Sequence, residues 1–195
     1  MMVKICGFTN REDAVAAVDA GVSAVGFIFY PKSPRFIKRA DAEAIANALP
    51  PEILRVGVFV DASPEETAEF PFLDILQLHG NEAAGLMASY SKPIWKAFRV
   101  KPGWSSDVLT DYATEAVMLD GPVPGSGHSF DWSIARGVQQ KLILAGGLDA
   151  DNVAEAIRLV QPWGVDACSR LESAPGRKDH EKMKQFIRAA RSENL

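Results

Sequence analysis

The sequence predicts an α/β fold built on a parallel sheet, and two observations support this. Short apolar, β-branched runs bounded by polar turns recur eight times along the chain, and segments with apolar residues at helical spacing lie between them. The runs are apolar nearly throughout, which is typical of strands covered on both faces. Eight such units predict one closed (β/α)8 barrel, the TIM-barrel architecture, as a single domain over residues 1–195. An open doubly wound sheet is the alternative, because periodicity does not report closure.

The predicted strands are residues 3–6, 24–29, 55–60, 75–79, 94–98, 116–119, 142–145 and 165–167. Helical spacing is clearest at Ala14/Ala17/Val18, at Ala42/Ile45/Ala46/Leu49 and at Met183/Phe186/Ile187/Ala190. Ser63-Pro64-Glu65-Glu66 marks a helix start, with a serine cap, a proline in the first turn and a glutamate that can bond back to the cap. The intervals after the fifth and sixth strands are short and weakly patterned, so boundaries are least defined there.

Composition and charge restrict the class of partner. The chain has 195 residues, is 47% hydrophobic and carries a net charge of −4, with its basic residues scattered rather than clustered. This argues against binding to nucleic acid or to an anionic membrane and favours a small-molecule ligand. The first residues lack a charged segment followed by a long apolar core, so we expect no signal sequence, and two cysteines in a chain of this size are expected to be reduced thiols. We therefore expect a soluble cytoplasmic protein, and a monomer, since no exposed apolar segment indicates an interface.

Two potential proton carriers lie at the ends of predicted strands. In a barrel of this type the carboxyl ends of the strands form the face that carries active groups. Asp120 follows the run 116–119, and a carboxylate in that place needs a partner or a function, although it can also be a turn-former. Cys6, followed by Gly7, ends the first strand, where a lowered thiol pKa would make it a base or nucleophile. The alternative for Cys6 is a small buried core residue.

The same face carries candidates for binding an anion. Arg35, on the proline-stiffened loop 30–35, can hold a carboxylate through two parallel hydrogen bonds, or it can be a solvated surface arginine. Lys4 precedes Cys6 by two residues, so it is expected to share the same face, point into the barrel and pair with a carboxylate. Three segments offer backbone N–H groups to a phosphate, and their residues are Gly125, Ser126 and Gly127, Gly146 and Gly147, and Ser169 and Arg170.

The three histidines do not predict a metal site. His79, His128 and His180 are far apart, and none has metal-ligand spacing with another histidine or a cysteine. His79 is expected to be a hydrogen-bonded residue at the end of the fourth strand, although its position also makes it a candidate for function.

Segments along nearly the whole chain resemble the phosphoribosylanthranilate isomerase family of tryptophan biosynthesis. They occur in family order and read KICGFTN (4–10), GFIFYPKSPR (26–35), VGVFV (56–60), LQLHG (76–80), LD (119–120), GSG (125–127) with FDW (130–132), GGL (146–148) and PGRKD (175–179). The resemblance implies the barrel fold and an isomerase that needs no cofactor and acts on a small phosphorylated substrate.

The resemblance also implies roles for individual residues. Cys6 would be the general base, Asp120 the general acid, and Arg35 the group that holds the anthranilate carboxylate. Asp120 would protonate the ribose ring oxygen to open a Schiff base, and Cys6 would then remove the C2′ proton, completing an Amadori rearrangement. These roles need a protonated acid and an ionised thiol near neutral pH, so both pKa values must move from their usual values of about 3.9 and about 8.5.

The chain departs from the family after the eighth strand, where Asp166-Ala167-Cys168-Ser169-Arg170 stands in place of Asp-Val-Ser-Ser-Gly. A positive φ at Arg170 would strain the backbone, whereas a negative φ would leave its N–H able to serve a phosphate. Cys168 is expected to be a small core substitute rather than a second catalyst.

Two other functions are considered. The related isomerase of histidine biosynthesis performs the same rearrangement on a bulkier aminoimidazole substrate, but with a carboxylate at the place of Cys6 and with two phosphate sites. A catalytically silent barrel that only binds a phosphorylated ligand is the second alternative, and the joint presence of Cys6, Asp120 and Arg35 argues against it.

Overall fold

The computed structural model of the protein describes residues 1–123 and 129–192. Its eight parallel strands form a closed barrel in sequence order, with the first strand paired to both the second and the eighth. The strands are β1 (Met2–Cys6), β2 (Ala24–Ile28), β3 (Leu54–Phe59), β4 (Ile75–Leu78), β5 (Ile94–Arg99), β6 (Ala116–Asp120), β7 (Leu142–Leu144) and β8 (Gly164–Ala167). The predicted (β/α)8 barrel is confirmed, each predicted boundary is within one residue of the observed one, and the open-sheet alternative is wrong.

The described residues form five α-helices: α1 (Arg11–Asp19), α2 (Arg39–Ala46), α3 (Pro64–Ala68), α4 (Val153–Val160) and α5 (His180–Ser192). Helix α3 begins at the predicted capping box, where Ser63 and Glu66 each accept the other's backbone N–H. In the crossovers after β4, β5 and β6 the described residues form 3-10 turns, at Ala84–Ser89, Ser106–Asp111 and Trp132–Ala135, and no α-helix. The weak pattern after the fifth and sixth strands agrees with the lack of an α-helix among the described residues of these connections, whereas the 3-10 turn after β4 was not anticipated.

The interior of the barrel is layered because alternate residues of each strand point inward. On β1 the inward residues are Met2, Lys4 and Cys6. Met2 belongs to an apolar cluster that fills the amino-terminal end of the barrel together with Val56, Trp95, Met118 and Ile143, among others. The larger apolar cluster lies between the outer face of the strands and the helices. Polar groups therefore begin one layer above the apolar plug, at the level of Lys4, and reach the carboxyl ends of the strands.

A short hairpin that the sequence analysis did not predict follows the eighth strand. After a 3-10 turn at Ser169–Leu171, β9 (Glu172–Ala174) pairs antiparallel with β10 (Arg177–Lys178). The hairpin is held against the β1–α1 connection, because Thr9 Oγ1 donates to the Gly176 carbonyl and Asp13 accepts the Lys178 N–H. Two buried side chains of opposite charge, Glu172 and Lys178, are thereby placed beside the end of β1.

Candidate active site

A cavity of about 280 Å³ lies at the carboxyl ends of the strands. Most of the predicted site residues line it: Cys6, Arg35, Asp120, Gly146, Gly147, Ser169 and Arg170. His79, Arg99 and Cys168 line it as well. Gly125, Ser126 and Gly127, predicted to bind phosphate, lie outside the described residues. The barrel thus brings the described candidates to one cavity, although they are widely separated in sequence.

Asp120 is the last residue of β6 and is buried. Its Oδ1 accepts the N–H of Gly121 at 2.8 Å, and its Oδ2 lies 3.4 Å from Nε2 of His79. Burial raises the pKa of Asp120 to about 6, although the Gly121 N–H, Lys4 and Arg99 act in the opposite direction. A carboxyl group with this pKa retains a protonated fraction near neutral pH, which is what a general acid requires.

His79 stands beside Asp120 as a neutral imidazole. Burial, with the positive charges of Arg99 and Lys96, lowers the pKa of His79 to about 3. Its buried Nε2 makes no hydrogen bond with the described residues, which differs from the hydrogen-bonded strand-end residue expected from the sequence. Nε2 lies 3.4 Å from Asp120 Oδ2, so in the tautomer protonated at Nδ1 it is the nearest acceptor for the proton of a neutral Asp120 carboxyl group once the two side chains align.

Lys4 and Asp166 form a buried ion pair one layer below the thiols, with 2.8 Å between Nζ and Oδ1. The predicted pairing of Lys4 with a carboxylate inside the barrel is confirmed. Burial acts to lower the pKa of Lys4, but Asp166 and Cys6 outweigh it and raise that pKa. At Asp166 burial raises the pKa, and this effect outweighs the opposite effect of Lys4. We assign both groups as charged, because a neutral Asp166 would leave the buried ammonium without a counter-charge.

Cys6 and Cys168 lie side by side at the ends of β1 and β8. The register pairs Ile5 with Ala167, so the two cysteines are the next residues along neighbouring strands, and both line the cavity. A hydrogen bond with Cys168, followed by burial, raises the pKa of Cys6 well above its usual range. The same hydrogen bond, with Lys178 and Arg35, lowers the pKa of Cys168 despite burial. The expectation that Cys168 is a core substitute is wrong, because it is half-buried at the cavity surface.

Arg35 is buried and oriented by Glu172. Its Nε lies 2.9 and 3.0 Å from the two carboxylate oxygens, and its Nη2 lies 2.8 Å from Oε2. The side-chain hydrogen bonds to Glu172 raise the pKa of Arg35. The surface-arginine alternative is therefore wrong. No acceptor among the described residues bonds Nη1, which leaves this nitrogen for a ligand in the cavity.

The candidate phosphate region combines the β7–α4 connection with the turn after β8. Gly146 and Gly147 have φ values of +86° and +69°, and a Cβ on Gly146 would lie 2.5 Å from the backbone nitrogen of Gly121. Glycine is therefore required next to the Asp120 loop. Arg170 is not among the described residues with positive φ, so the backbone is unstrained there. Its Nε lies 2.7 Å from Asp149 Oδ2, which ties the two connections together.

Glu172 and the pairing of the two thiols were not found from the sequence. Glu172 lies on the unpredicted hairpin, and no local pattern marks it as the partner of Arg35. The thiol pair had a usable signal, because closure of the barrel makes β1 and β8 neighbours and each cysteine follows an apolar run. Within residues 1–123 and 129–192, no group of three or more His, Cys, Asp or Glu side chains is placed to hold a metal ion. No helix in these ranges is long and apolar enough to cross a membrane.

The fold and the site define a (β/α)8-barrel enzyme with a buried carboxylic acid and two thiols facing one cavity at the strand ends. The family model described as N-(5'-phosphoribosyl)anthranilate (PRA) isomerase matches residues 3–189. The chain therefore belongs to the phosphoribosylanthranilate isomerase family, an enzyme family of intramolecular isomerases in tryptophan biosynthesis.

Individual relatives agree over nearly full length. The chain is 47% identical to the N-(5'-phosphoribosyl)anthranilate isomerase of Solibacter usitatus, covering 98% of each sequence. It superposes on the crystal structure of phosphoribosyl anthranilate isomerase from Thermus thermophilus with a TM-score of 0.93 and 38% identity, over 98% of this chain and 99% of that one. A phosphoribosyl anthranilate isomerase in complex with reduced 1-(o-carboxyphenylamino)-1-deoxyribulose 5-phosphate matches with a TM-score of 0.85 and 38% identity, with the same coverage.

Proposed function

We propose that this chain converts N-(5'-phosphoribosyl)anthranilate to 1-(2-carboxyphenylamino)-1-deoxyribulose 5-phosphate by a cofactor-free Amadori rearrangement. The observation that carries the proposal is the shared cavity: Asp120, with its pKa raised to about 6 by burial, faces the same space as Cys6. An acid and a sulfur base lining one small cavity suit a substrate that must gain a proton at one atom and lose one at the next.

Asp120 acts first, as the general acid. Its proton goes to the ring oxygen of the ribose as the C1′–O bond breaks, and the nitrogen lone pair forms the C=N bond of the Schiff base. The sulfur base at Cys6 then takes the C2′ proton. The C–H electron pair forms the C1′=C2′ bond while the C=N pair returns to nitrogen. The resulting enolamine becomes the ketone when C1′ is protonated and the enol O–H proton returns to the Asp120 carboxylate.

Binding of the two anionic ends of the substrate is assigned to opposite sides of the cavity. Arg35 holds the anthranilate carboxylate through Nη1, while Glu172 fixes the plane of the guanidinium. The phosphate is assigned to the backbone N–H groups of Gly146, Gly147, Ser169 and Arg170, and the sequence adds Gly125, Ser126 and Gly127, which lie outside the described residues. The glycines allow close approach of the backbone to the phosphate oxygens.

The experiment that tests this function follows the loss of substrate fluorescence, with the substrate generated in situ. Cys6→Ala and Asp120→Asn should each lower kcat/KM by about 10²–10⁴-fold, since each removes one proton-transfer step. Asp111→Asn, at an exposed position, is the matched control and should retain full activity. No turnover of this substrate by the wild-type protein, with turnover of the aminoimidazole ribonucleotide of histidine biosynthesis, would refute the assignment. No turnover of either would point to a silent binding barrel.

A separate measurement tests the carboxylate clamp. Arg35→Ala should chiefly raise KM, because the substrate carboxylate loses its charge-assisted hydrogen bond from Nη1. Arg35→Lys keeps the charge but not the planar fork, and it should recover only part of the affinity. An unchanged affinity of Arg35→Ala for anthranilate-bearing ligands would remove this role.

We further propose that the protein acts as a monomer in the cytoplasm. Both cysteines are free thiols, which suits a reducing compartment. The exposed large apolar side chains are distributed over different elements, for example Val15 on α1, Leu86 after β4 and Leu159 on α4. Sedimentation at micromolar concentration should give the mass of one chain, and a mass twice as large would contradict the proposal.

A further inference from the structure

The two cysteines of the cavity form a pair through the closure of the barrel. Neighbouring parallel strands lie about 4.8 Å apart, and the register that joins Ile5 to Ala167 places Cys6 and Cys168 opposite each other on the inward face. The pair stands directly above the Lys4–Asp166 ion pair. The two thiols therefore interact with each other before either meets a ligand.

The surroundings of the two sulfurs are unequal. Cys6 is enclosed by β2, since a Cβ on Gly26 would lie 2.7 Å from its Sγ. Its nearest cation, Lys4, is already paired with Asp166. Any charge on Cys6 thus lies in a buried environment that also contains a carboxylate, which disfavours a thiolate there.

Cys168 has the more positive environment. The Lys178 Nζ lies 3.8 Å from its Sγ and 3.2 Å from its carbonyl oxygen. The stem of Arg35 flanks the same sulfur, because a Cβ on Gly7 would be 2.9 Å from Arg35 Cδ and 3.0 Å from Cys168 Sγ. Glu172 offsets part of this charge, but two cations share one carboxylate. A single negative charge on the thiol pair is therefore more stable on Cys168 than on Cys6.

We propose that Cys168 holds the proton of Cys6 during the reaction, so that the base is the thiol pair and not Cys6 alone. This rests on the proposed function of Cys6. In the resting pair Cys6 is the thiol and donates to the Cys168 thiolate. Cys6 passes this proton to Cys168 and takes the C2′ proton of the Schiff base, whose C–H electrons form the enolamine double bond. Both sulfurs are then protonated, and one proton is returned to C1′ in the final tautomerisation. Cys168 acts only through Cys6 and is a positioning residue for its proton.

The direction of the pKa shifts supports this arrangement. The hydrogen bond with Cys168 raises the pKa of Cys6, with burial acting in the same direction, whereas the bond with Cys6 lowers the pKa of Cys168, assisted by Lys178 and Arg35. A lone Cys6 would be protonated at neutral pH and would need a stronger base to act. The pair supplies an ionised sulfur at a lower pH than Cys6 could alone.

The experiment compares kcat/KM against pH for the wild-type protein, Cys168→Ser and Cys168→Ala. Both variants should lose about tenfold or more at and below neutral pH, since each unit by which the thiol pKa rises costs about tenfold. They should approach the wild-type value at high pH, where Cys6 ionises without help. A loss of equal size at all pH values would show a merely structural role, and an unchanged profile would show no role, so either result overturns the proposal.

A pH titration of the thiolate ultraviolet absorbance, made without substrate, shows which cysteine carries the negative charge. This measurement is independent of turnover and needs only one folded variant. The neutral-pH ionisation should persist in Cys6→Ser and disappear in Cys168→Ser. The reverse pattern would place the charge on Cys6 and overturn the proposal. Turnover that is lost in Cys6→Ala but keeps its pH profile in Cys168→Ser would leave the proposed function standing and refute the pair. Absence of wild-type turnover would overturn both.

Discussion

Asp120→Asn should make the fold more stable at neutral pH while lowering kcat/KM by about 10²–10⁴-fold. The native structure holds Asp120 buried, and burial raises its pKa from 3.8 to about 6. A carboxyl group whose pKa is raised in the folded state lowers the free energy of unfolding when it is ionised, and this cost disappears when it is protonated. Below pH 3.8 the folded and unfolded chains both carry the proton and the cost is absent. The cost grows as pH rises from about 4 and is complete above about 6.

The size of the effect follows from this shift. About two pKa units at 1.36 kcal/mol each give a cost of about 3 kcal/mol above pH 6. Asparagine removes that cost with little loss of bonding. Its Oδ1 can accept the Gly121 N–H as the carboxylate does. Its Nδ2 can donate to the neutral Nε2 of His79, which lies 3.4 Å from the present Oδ2. The substitution should therefore stabilise by up to about 3 kcal/mol at pH 8 and by less than about 1 kcal/mol at pH 4.

The assay is urea unfolding at both pH values, followed by the fluorescence of the four tryptophans. With a slope of about 2–3 kcal/mol per molar urea, the midpoint at pH 8 should rise by about 1 M. Asp111→Asn, at an exposed position, serves as the control and should change stability by less than about 0.5 kcal/mol at either pH. Destabilisation by Asp120→Asn, or a gain of the same size at both pH values, would refute the reasoning.

Three further outcomes are expected. Lys4→Met should lower the free energy of unfolding in urea by about 3–5 kcal/mol, because it leaves the buried Asp166 without its counter-charge. The control Glu69→Gln breaks an exposed pair with Arg39 and should cost under about 1 kcal/mol, and equal costs for the two variants would contradict this. Gly146→Ala should lower kcat at least about tenfold, because the added Cβ would collide with the Gly121 backbone. The control Gly103→Ala also has a positive φ, +82°, but lies in open space, so it should lose only about 1–2 kcal/mol of stability and no activity. Diamide, by taking two electrons and two protons, should join Cys6 and Cys168 as a disulfide, detected as a mass loss of two hydrogens that dithiothreitol reverses and Cys168→Ser prevents.

The fold was predictable because its signal is local and repeated. Each strand is an apolar run, and the spacing of runs and amphipathic segments repeats along the chain, so no single misplaced boundary changes the count of eight. Helix α3 was equally readable, since Ser63 and Glu66 carry the capping box in four consecutive residues. The hairpin over residues 172–178 was not, because its strands of three and two residues are too short for any period to show.

The site was predictable only where a strand end determines the position of a side chain. Asp120, Cys6 and the Lys4 ion pair follow from strand order and alternation, so the barrel alone brings them to one interior. The partners of Arg35 and Cys168 depend on the return path of the chain after β8, which places Glu172 and Lys178 above the cavity. The pKa shifts of Arg35 and Cys168 depend in turn on burial and on distances of a few ångströms, which a sequence does not contain.

The two proton carriers are tuned by different groups, and the ion pair below them explains why this is possible. Asp166 raises and Lys4 lowers the pKa of both Asp120 and Cys6, so the two members of the pair act in opposite directions on each group. The shift at Asp120 comes first from burial, and at Cys168 from its bond to Cys6, assisted by Lys178 and Arg35. The buried Lys4–Asp166 pair has zero net charge. It therefore fills the polar layer of the barrel without adding a net charge that would shift the pKa values of Asp120 and Cys6 in one direction. The acidity of Asp120 can then be lowered and that of Cys168 raised, within one cavity, by groups that belong to separate connections.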